Sequence, residues 1–572
     1  MISFLVILIG VIFGFATHAR AQTPPAAIDR QNQIIERQQQ DQLREEQDRT
    51  MRARPPPGGT DLQDLKPQVS VPELGAPCRE IREIRFGGDT QHLPSDLKHD
   101  IENGNAGRCL GGPELEGILA AVTKSYIDRG YITTRAYLPA QDLRSGILEV
   151  TVVEGRIERF ELIGGRDRAQ WIRGAFPVNP GDLLNLRDLE QGINQINSLS
   201  TNNAKLDLRP GSEPGQTVVG VENPAAFPVH AYVSLDNSGT RATGVFPASA
   251  TVSFDSVLGL NELLSITKRQ SVLPKRREHN SDSIGLRAVL PFGYNTFSLD
   301  TSQSGYTNVL HPPSGLSLVS EGRTISKSLT ADRVVYRDQA SRISLSARLG
   351  TQSTRNWLGG EYLQVSSRTL STLDWAASAF TQVGGGILNA RFSYVEGLTN
   401  FGALRDADDR PDDLPHAQFR KLALDLGFSR GLDIAGRVFQ WSSQFSGQHA
   451  YDTLYGAQQI LIGGNSSVRG FLDSVLSGDN GFYLRNELSM PGTVATIQGA
   501  PLSVRAYAGL DAGRVSNRAA GVPSGSLSGA ALGTALQWRT LNLDVFAARA
   551  VHMPSALKRE GTRYNFRLSA SL

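Results

Sequence analysis

The sequence is poor in cysteine and carries no excess of charge of either sign. Its 572 residues include 2 cysteines, and 58 Lys and Arg balance 56 Asp and Glu to a formal net charge of +2. Two cysteines exclude a zinc-ribbon protein and a disulfide-dense scaffold. The near-neutral balance argues against a nucleic-acid binder, which usually has a strong basic excess. Because no run of 18 apolar residues occurs, the sequence also excludes a helical membrane protein.

The longest apolar run, residues 2–15, predicts a secretory signal peptide. Residues 19–21, Ala-Arg-Ala, form an A-x-A site that places cleavage before Gln22. A retained membrane anchor is the alternative, since no Lys or Arg precedes the run. Export implies an oxidising compartment, so we predict a disulfide between Cys78 and Cys109.

Two segments without a core follow the signal peptide. Residues 26–50 favour a helix because Gln, Glu and Arg dominate and Gly and Pro are absent. A helix that is polar nearly all round suits a wet environment, and a disordered charged arm is the alternative. Residues 51–77 contain six prolines and predict a linker.

Residues 78–155 and 156–222 predict two small α/β modules. In the first, apolar residues recur at helical spacing over 115–126, and a β-branched strand spans 147–153. The second module repeats this plan, with a strand, a helix and two further strands.

From residue 228 onward, apolar and polar residues alternate. Leu422, Leu424, Leu426 and Phe428, for example, are separated by small or polar residues. Alternation over ~10-residue segments is typical of a transmembrane β-barrel. A soluble β-sandwich also alternates but rarely needs a domain of this length. We predict sixteen antiparallel strands at 229–239, 245–255, 261–271, 281–291, 295–306, 323–337, 341–353, 362–377, 382–396, 417–431, 436–450, 481–490, 501–511, 527–538, 541–551 and 563–572.

Charged residues on these strands are expected to face a wet lumen, because the outer face of such a barrel is apolar. The residues placed there are Arg342, Arg348, Arg420, Asp425, Arg485, Glu487 and Arg567.

Both modules and the barrel contain short, distinctive motifs. The first module contains YIDRGYITTR at 126–135, and the second contains LRDLEQ at 186–191. The barrel contains SVRGF at 467–471 and LRNEL at 484–488. Together they resemble the outer-membrane transporters of two-partner secretion, the hemolysin activator and filamentous hemagglutinin transporter family.

This resemblance implies the chain's organisation and function. The implied parts are a signal peptide (1–21), a plug helix (22–50), a Pro-rich linker (51–77), POTRA domain 1 (78–155), POTRA domain 2 (156–222) and a 16-stranded transmembrane β-barrel (228–572). The function implied is secretion of a large exoprotein of hemolysin, adhesin or toxin type across the bacterial outer membrane. The POTRA domains then lie in the periplasm. Outer-membrane lipid and the barrel-assembly machinery are further implied partners, with no cofactor, no metal and no nucleic acid.

The resemblance also assigns functional residues. It implies that the long connection 451–480 folds into the barrel, with Arg469 bonded to Asp511. The residues assigned to the pore-loop motif and its anchor are Val468, Arg469, Gly470, Phe471, Asp511 and Gly513. Those assigned to partner binding in the first POTRA domain are Tyr131, Thr133, Thr134 and Arg135.

Other classes of protein fit the sequence less well. No H-E-x-x-H motif occurs and residues 464–468 fail the G-x-S-x-G pattern, so we predict that the chain is not an enzyme. A barrel-assembly insertase usually has more periplasmic modules, and a passive porin needs none. An autotransporter carries its passenger in the same chain, and small modules are a poor passenger. The sequence does not identify the secreted partner or the oligomeric state.

Overall fold

Two small α/β modules precede a closed β-barrel. The computed structural model describes residues 78–164, 174–224, 226–273, 278–310, 317–519 and 521–572. The predicted signal peptide, plug helix and linker, residues 1–77, lie outside the described residues. Within the described part of the chain, no helix is long and apolar enough to cross a membrane.

The first module packs two helices against a three-stranded sheet. Its elements are β1 (Arg79–Ile81), β2 (Glu83–Gly88), α1 (Ser95–Asn105), β3 (Arg108–Leu110), α2 (Gly112–Asp128), β4 (Arg135–Tyr137), a 3-10 turn (Leu143–Ser145) and β5 (Ile147–Val153). Strand β5 is central, parallel to β2 and antiparallel to β4. Its alternate residues Leu148, Val150 and Val152 are buried in one cluster with Leu119 and Val122 of α2, which joins the sheet to the helix.

The predicted disulfide between Cys78 and Cys109 is confirmed. Their Cα atoms lie 5.4 Å apart, within the usual range for a bridge. Cys109 belongs to β3 and pairs opposite Glu80 of β1. The bond therefore ties the start of the module to β3.

The second module repeats the plan of the first. Its elements are β6 (Arg156–Ile163), α3 (Leu186–Ile196), β7 (Lys205–Pro210) and β8 (Gln216–Glu222). Strand β8 lies between β6, which is parallel to it, and β7, which is antiparallel. Helix α3 begins at Leu186 because the Asn185 side chain accepts a hydrogen bond from the Arg187 backbone N–H at 2.9 Å. Leu189 and Ile196 then face the buried sheet.

Sixteen antiparallel strands close into a barrel, as predicted. They are β9 (Val229–Asp236), β10 (Phe246–Asp255), β11 (Leu263–Leu273), β12 (His279–Phe292), β13 (Asn295–Leu310), β14 (Leu318–Arg337), β15 (Ser341–Leu358), β17 (Arg368–Val383), β18 (Gly386–Leu398), β19 (Arg420–Ile434), β20 (Arg437–Ala450), β23 (Asn480–Ile497), β24 (Ala500–Ser516), β25 (Gly525–Trp538), β26 (Leu541–His552) and β27 (Arg563–Ser571). A two-residue strand, β16 (Glu361–Tyr362), only extends the edge of β15. The last strand closes on the first, with Ser571 opposite Tyr232.

Several strands are longer than the sequence pattern predicted. Strand β23 continues to Ile497, whereas the predicted strand stopped at residue 490. Pro491 and Gly492 caused this difference because both residues ordinarily interrupt strands. In the barrel Pro491 stays in register, opposite Arg505 of β24.

The two faces of the barrel wall differ as the alternation predicted. On β23 and β24, Leu488 and Leu510 are exposed to the outside, 40% and 67% respectively. Arg485 and Asp511, at intervening positions, face the interior and lie opposite each other. The prediction for Arg420 is wrong: it shares the register of outward-facing Leu422, so it is not a lumen residue.

The second module is held against the turn between β12 and β13. The Gln195 amide donates to the carbonyl oxygens of Gly293 at 2.8 Å and Asn295 at 3.2 Å. The Tyr294 hydroxyl donates to Asp188 of α3. Burial raises the pKa of the Asp188 carboxyl, and this hydrogen bond opposes the shift. These contacts fix which end of the barrel faces the modules.

Candidate functional site

The lumen loop, residues 451–479, connects β20 to β23 and folds back inside the barrel. It contains a short turn (Gly456–Gln458) and a hairpin of β21 (Ile460–Ile462) with β22 (Leu476–Gly478), so it is more regular than the sequence indicated. Its apolar side chains are buried against Tyr483, Val515 and Leu527, which face inward from the wall. The residues that the loop contributes are Ile460, Ile462, Val468, Phe471 and Leu476.

Arg469 at the loop tip is bound to Asp511 of β24 on the inner wall. The Arg469 Nε donates to Asp511 Oδ2 at 2.7 Å, and Nη2 donates to Oδ1 at 2.8 Å. The Arg469 backbone N–H donates to Oδ2 as well, at 3.0 Å. Both residues are buried, with 1% and 3% of their surfaces exposed. A two-pronged contact of this kind fixes orientation as well as charge.

A second carboxylate also binds the Arg469 guanidinium. Its Nη1 donates to Glu487 Oε2 at 3.0 Å, and its Nη2 donates to the Asn486 carbonyl at 3.3 Å. Glu487 is also bound by the guanidinium of Arg505 on β24. Two cations and two carboxylates therefore alternate around the loop tip. Ion pairing with hydrogen bonds to the carboxylates is the condition under which buried charges are tolerated.

Two glycines allow the loop tip to approach the wall closely. Gly470 has a φ of +99°, a left-handed conformation that favours glycine. A Cβ at that position would lie 2.5 Å from the Arg549 backbone carbonyl carbon of β26. A Cβ at Gly509 would lie 2.0 Å from Nη2 of Arg469. The guanidinium consequently occupies the space that any side chain at residue 509 would need.

The remaining predicted anchor and motif residues lie around this contact. Val468 and Phe471 flank Arg469 and are 0% and 2% exposed in the apolar cluster. Gly513 of β24 faces the Ile462 side chain, which would lie 3.3 Å from an added Cβ. The structure thus brings the six assigned residues to one place on the inner wall, while their part in secretion stays a prediction.

A carboxylate on another long connection holds the outer side of the lumen loop. Glu560 accepts hydrogen bonds from the backbone N–H groups of Leu472, Asp473 and Ser474, the last at 2.8 Å. Burial raises the pKa of the Asp473 carboxyl, and the charge of Glu560 adds to this shift. The loop is therefore fixed both to the wall and to the connection between β26 and β27.

Comparison with known proteins decides the family. The family model described as "Haemolysin secretion/activation protein ShlB/FhaC/HecB" matches residues 215–536. The chain belongs to this family. Two POTRA models match ahead of it, the ShlB-type domain at residues 80–155 and a further POTRA domain at 156–210. The molecule is a two-partner secretion transporter of the outer membrane, with POTRA domains in the periplasm, and it secretes a partner exoprotein.

Relatives cover most of this transporter. "Outer membrane transporter CdiB" of Dickeya dadantii is 30% identical over 516 residues, 89% of this chain and 90% of the relative. "Hemolysin transporter protein ShlB" of Serratia marcescens is 31% identical over 494 residues, 85% of this chain and 86% of the relative. The solved structure of CdiB from Escherichia coli is 31% identical, covers 97% of this chain and 100% of its own, and has a TM-score of 0.83.

The four POTRA residues predicted to bind the partner lie at the junction of the two domains. Tyr131 packs edge-on against Tyr126, with ring centroids 6.2 Å apart. Thr134 is 1% exposed, and its hydroxyl accepts a hydrogen bond from the Gly155 backbone N–H at 3.0 Å. Arg135 donates to the Ile132 carbonyl at 2.7 Å, and Thr133 is half-buried beside them. These contacts are internal to the chain, and partner binding by this segment stays a prediction.

Sequence reasoning missed some residues of the loop anchor in this transporter. Glu487 was assigned only to lumen solvation, and Gly509 was not singled out. The two lie directly opposite each other on β23 and β24, two positions below the Arg485 and Asp511 pair. A glycine on an inward-facing strand position is a signal in principle, but it identifies no partner until the strand register is known. No group of three or more metal-ligating side chains occurs within the described ranges.

Proposed function

We propose that this transporter passes an unfolded exoprotein through the barrel lumen, along a route set by the lumen loop. The single observation that supports this most is the buried contact of Arg469 with Asp511. It ties a loop of the pore to one side of the wall, so that the rest of the lumen is available to the passing chain. The relative named as the hemolysin transporter ShlB supports a hemolysin as the class of partner.

Edge strands of the POTRA sheets are the proposed first contact for the exoprotein. In the described residues the POTRA sheets have the orders β2-β5-β4 and β6-β8-β7, so β2, β4, β6 and β7 are edge strands. An extended chain can add to such an edge through main-chain hydrogen bonds that depend little on sequence. Arg135 is the first residue of β4. The segment with Tyr131, Thr133, Thr134 and Arg135 therefore lies beside this edge strand, where its side chains would favour one signal sequence of the exoprotein.

Residues 22–50 are proposed to plug the pore before the exoprotein arrives. Their polar composition suits a water-filled lumen and no lipid or apolar core. The inward register positions of the barrel carry charged residues, among them Arg348, Arg485 and Glu487. A polar helix there would be solvated on all sides.

Other partners belong to the same proposal. The outer-membrane lipid contacts the apolar outer face, and the barrel-assembly machinery inserts the barrel. The aromatic residues Tyr564 and Phe566 of the last strand would contribute to recognition by that machinery. Transport needs no bond-breaking chemistry, and we propose that the chain is not an enzyme.

A barrel-assembly insertase of the same superfamily is the second candidate. Its favouring observation is the shared plan of POTRA domains ahead of a barrel. Deletion of the gene separates the two functions. A secretion transporter leaves every other outer-membrane barrel at its normal abundance, while the large exported protein encoded next to it fails to reach the medium. Loss of unrelated barrels together with normal export of that protein would overturn the proposal.

A further inference from the structure

The outer face of strands β23–β26 carries a recess between large apolar side chains. Leu510 and Leu532 project from it, with exposures of 67% and 69%. Between them the register places small residues, Ala508 opposite Leu532 and Ala530 opposite Leu510. The resulting depression has a volume of about 670 Å³ and extends to Leu488 and Trp441 on one side and Ala547 on the other. Its walls are almost entirely apolar, as a surface in contact with lipid requires.

A single cation, Arg549, stands at the rim of this recess. Arg549 pairs opposite Ala530, on the same outward face as Val545, which is 44% exposed. It is itself exposed, and its guanidinium has no ion-pair or hydrogen-bond partner within the described part of the chain. It lies three residues before the end of β26 at His552, roughly 10 Å along the strand. A charged side chain on the lipid face is unfavourable unless it finds a partner or reaches the interface.

The recess is supported from the inside by the lumen loop. A Cβ added at Gly529 would lie 1.8 Å from the Arg469 carbonyl oxygen. Gly470 lies close to the backbone of Arg549 and Ala550. The loop tip therefore backs the strands whose outer side forms the recess. A site that is already shaped before its ligand arrives does not need to be ordered by binding.

We propose that this recess binds one acyl chain of a phosphate-bearing lipid of the outer leaflet, with the lipid phosphate on Arg549. The guanidinium can bond two phosphate oxygens at once, which a planar fork of donors favours. Asn486 and Thr562 line the recess as well and provide polar groups for the head of the lipid. A lone cation beside a long apolar depression matches an amphiphile with one anionic end. The inference does not depend on the proposed export route.

The end of β26 that carries Arg549 also agrees with this ligand. The POTRA domain contacts the opposite end of the barrel, at Gly293 and Asn295. Arg549 is consequently near the extracellular end, where the phosphates of outer-leaflet lipid lie. Its side chain can extend toward that interface while its stem covers apolar surface.

Native mass spectrometry of the full-length detergent-solubilised transporter tests the site, with diphosphoryl lipid A as the added probe. Arg549→Gln removes the cation, and Ala530→Leu fills the recess. Each variant should weaken lipid A binding about tenfold, the effect of losing a hydrogen-bonded charged contact or the space for a chain. Two matched controls lie elsewhere on the outer face, Arg323→Gln on β14 and Ala377→Leu on β17. These should bind as the unmodified transporter does, and heat-modified gel migration confirms that each barrel is folded.

Four results would overturn the proposal. Loss of binding in Ala530→Leu alone indicates an apolar occupant without a phosphate contact. Loss in Arg549→Gln alone indicates a surface ion pair that does not use the recess. Binding of inorganic phosphate as tight as that of lipid A indicates a simple anion site. A dimer mass that Ala530→Leu abolishes indicates that a second copy of the chain covers this face.

Discussion

Arg469 and Asp511 make three hydrogen bonds with each other, two from the guanidinium and one from the Arg469 backbone N–H. The backbone bond means that Asp511 holds the position of the loop chain as well as the charge of its side chain. Two of the three remaining guanidinium N–H groups are used by Glu487 and the Asn486 carbonyl. Removal of either partner therefore leaves a buried charge without its counterpart, which costs about 3–5 kcal/mol.

A positive charge at residue 469 should not be sufficient for secretion without the planar guanidinium group. Arg469→Lys keeps the positive charge but loses the fork that bonds Asp511 and Glu487 together. We expect exoprotein secretion to fall strongly, and we expect the loop to become accessible to protease added outside intact cells. Exchange of the pair, Arg469→Asp with Asp511→Arg, should not restore secretion because the carboxylate introduced on the loop would face Glu487. Normal secretion and protease resistance in Arg469→Lys would show that charge alone holds the loop.

A methyl group at residue 509 should release the loop without removing any charge. Gly509→Ala places a Cβ 2.0 Å from the Arg469 guanidinium, so the guanidinium must leave its site. Gly492→Ala on β23 is the matched control, since its Cβ has only Val504 within range, at 4.0 Å. Secretion should drop in Gly509→Ala and stay normal in Gly492→Ala. Equal secretion by both variants would contradict the close packing described above.

The disulfide should stabilise the first POTRA domain. By the loop-closure model, joining Cys78 to Cys109, 31 residues apart, contributes on the order of 3–4 kcal/mol. Cys78→Ser with Cys109→Ser should lower the free energy of unfolding of this domain by about that amount. Denaturant titration of the full transporter, followed by protease digestion of the POTRA region, measures the change. Two alkylatable thiols in the native unmodified protein would refute the pairing.

Removal of residues 22–50 should open the pore. A polar segment in the lumen blocks ion flow, so its deletion is expected to raise single-channel conductance in planar bilayers. A variant that keeps the length of the segment but replaces it with a Gly/Ser-rich sequence provides the control, because such a linker does not form a helix. Unchanged conductance in both variants would show that this part of the chain is not a plug.

Much of the fold followed from the sequence because a barrel wall imposes a simple pattern. Alternation places Leu484 and Leu488 outside and Arg485 and Glu487 inside, whatever the neighbouring strand. The strand count and the order of the parts could therefore be predicted. The C-terminal end of β23 could not be predicted, because Pro491 and Gly492 ordinarily interrupt strands. In this barrel both residues stay paired with β24.

The loop anchor was accessible from the sequence only in part. The pairing of Arg469 with Asp511 came from a motif resemblance, because no periodicity relates a loop to a strand 42 residues later. The contributions of Glu487 and Gly509 depend on the register between β23 and β24, which places them opposite each other. The tight turn that pairs Ile497 with Ala500 and the register shift between Thr493 and Ala495 set this register, and alternation along each strand does not reveal either of them.

Secretion of the exoprotein by Arg469→Ala, measured at equal outer-membrane abundance, tests the role of the anchored loop. Arg348→Ala is the control, because Arg348 faces the same lumen from β15 but is exposed there. We expect Arg469→Ala to assemble a heat-modifiable barrel yet release little or no exoprotein, while Arg348→Ala secretes normally. Normal release of the exoprotein by Arg469→Ala would contradict the central claim that the anchored loop sets the export route.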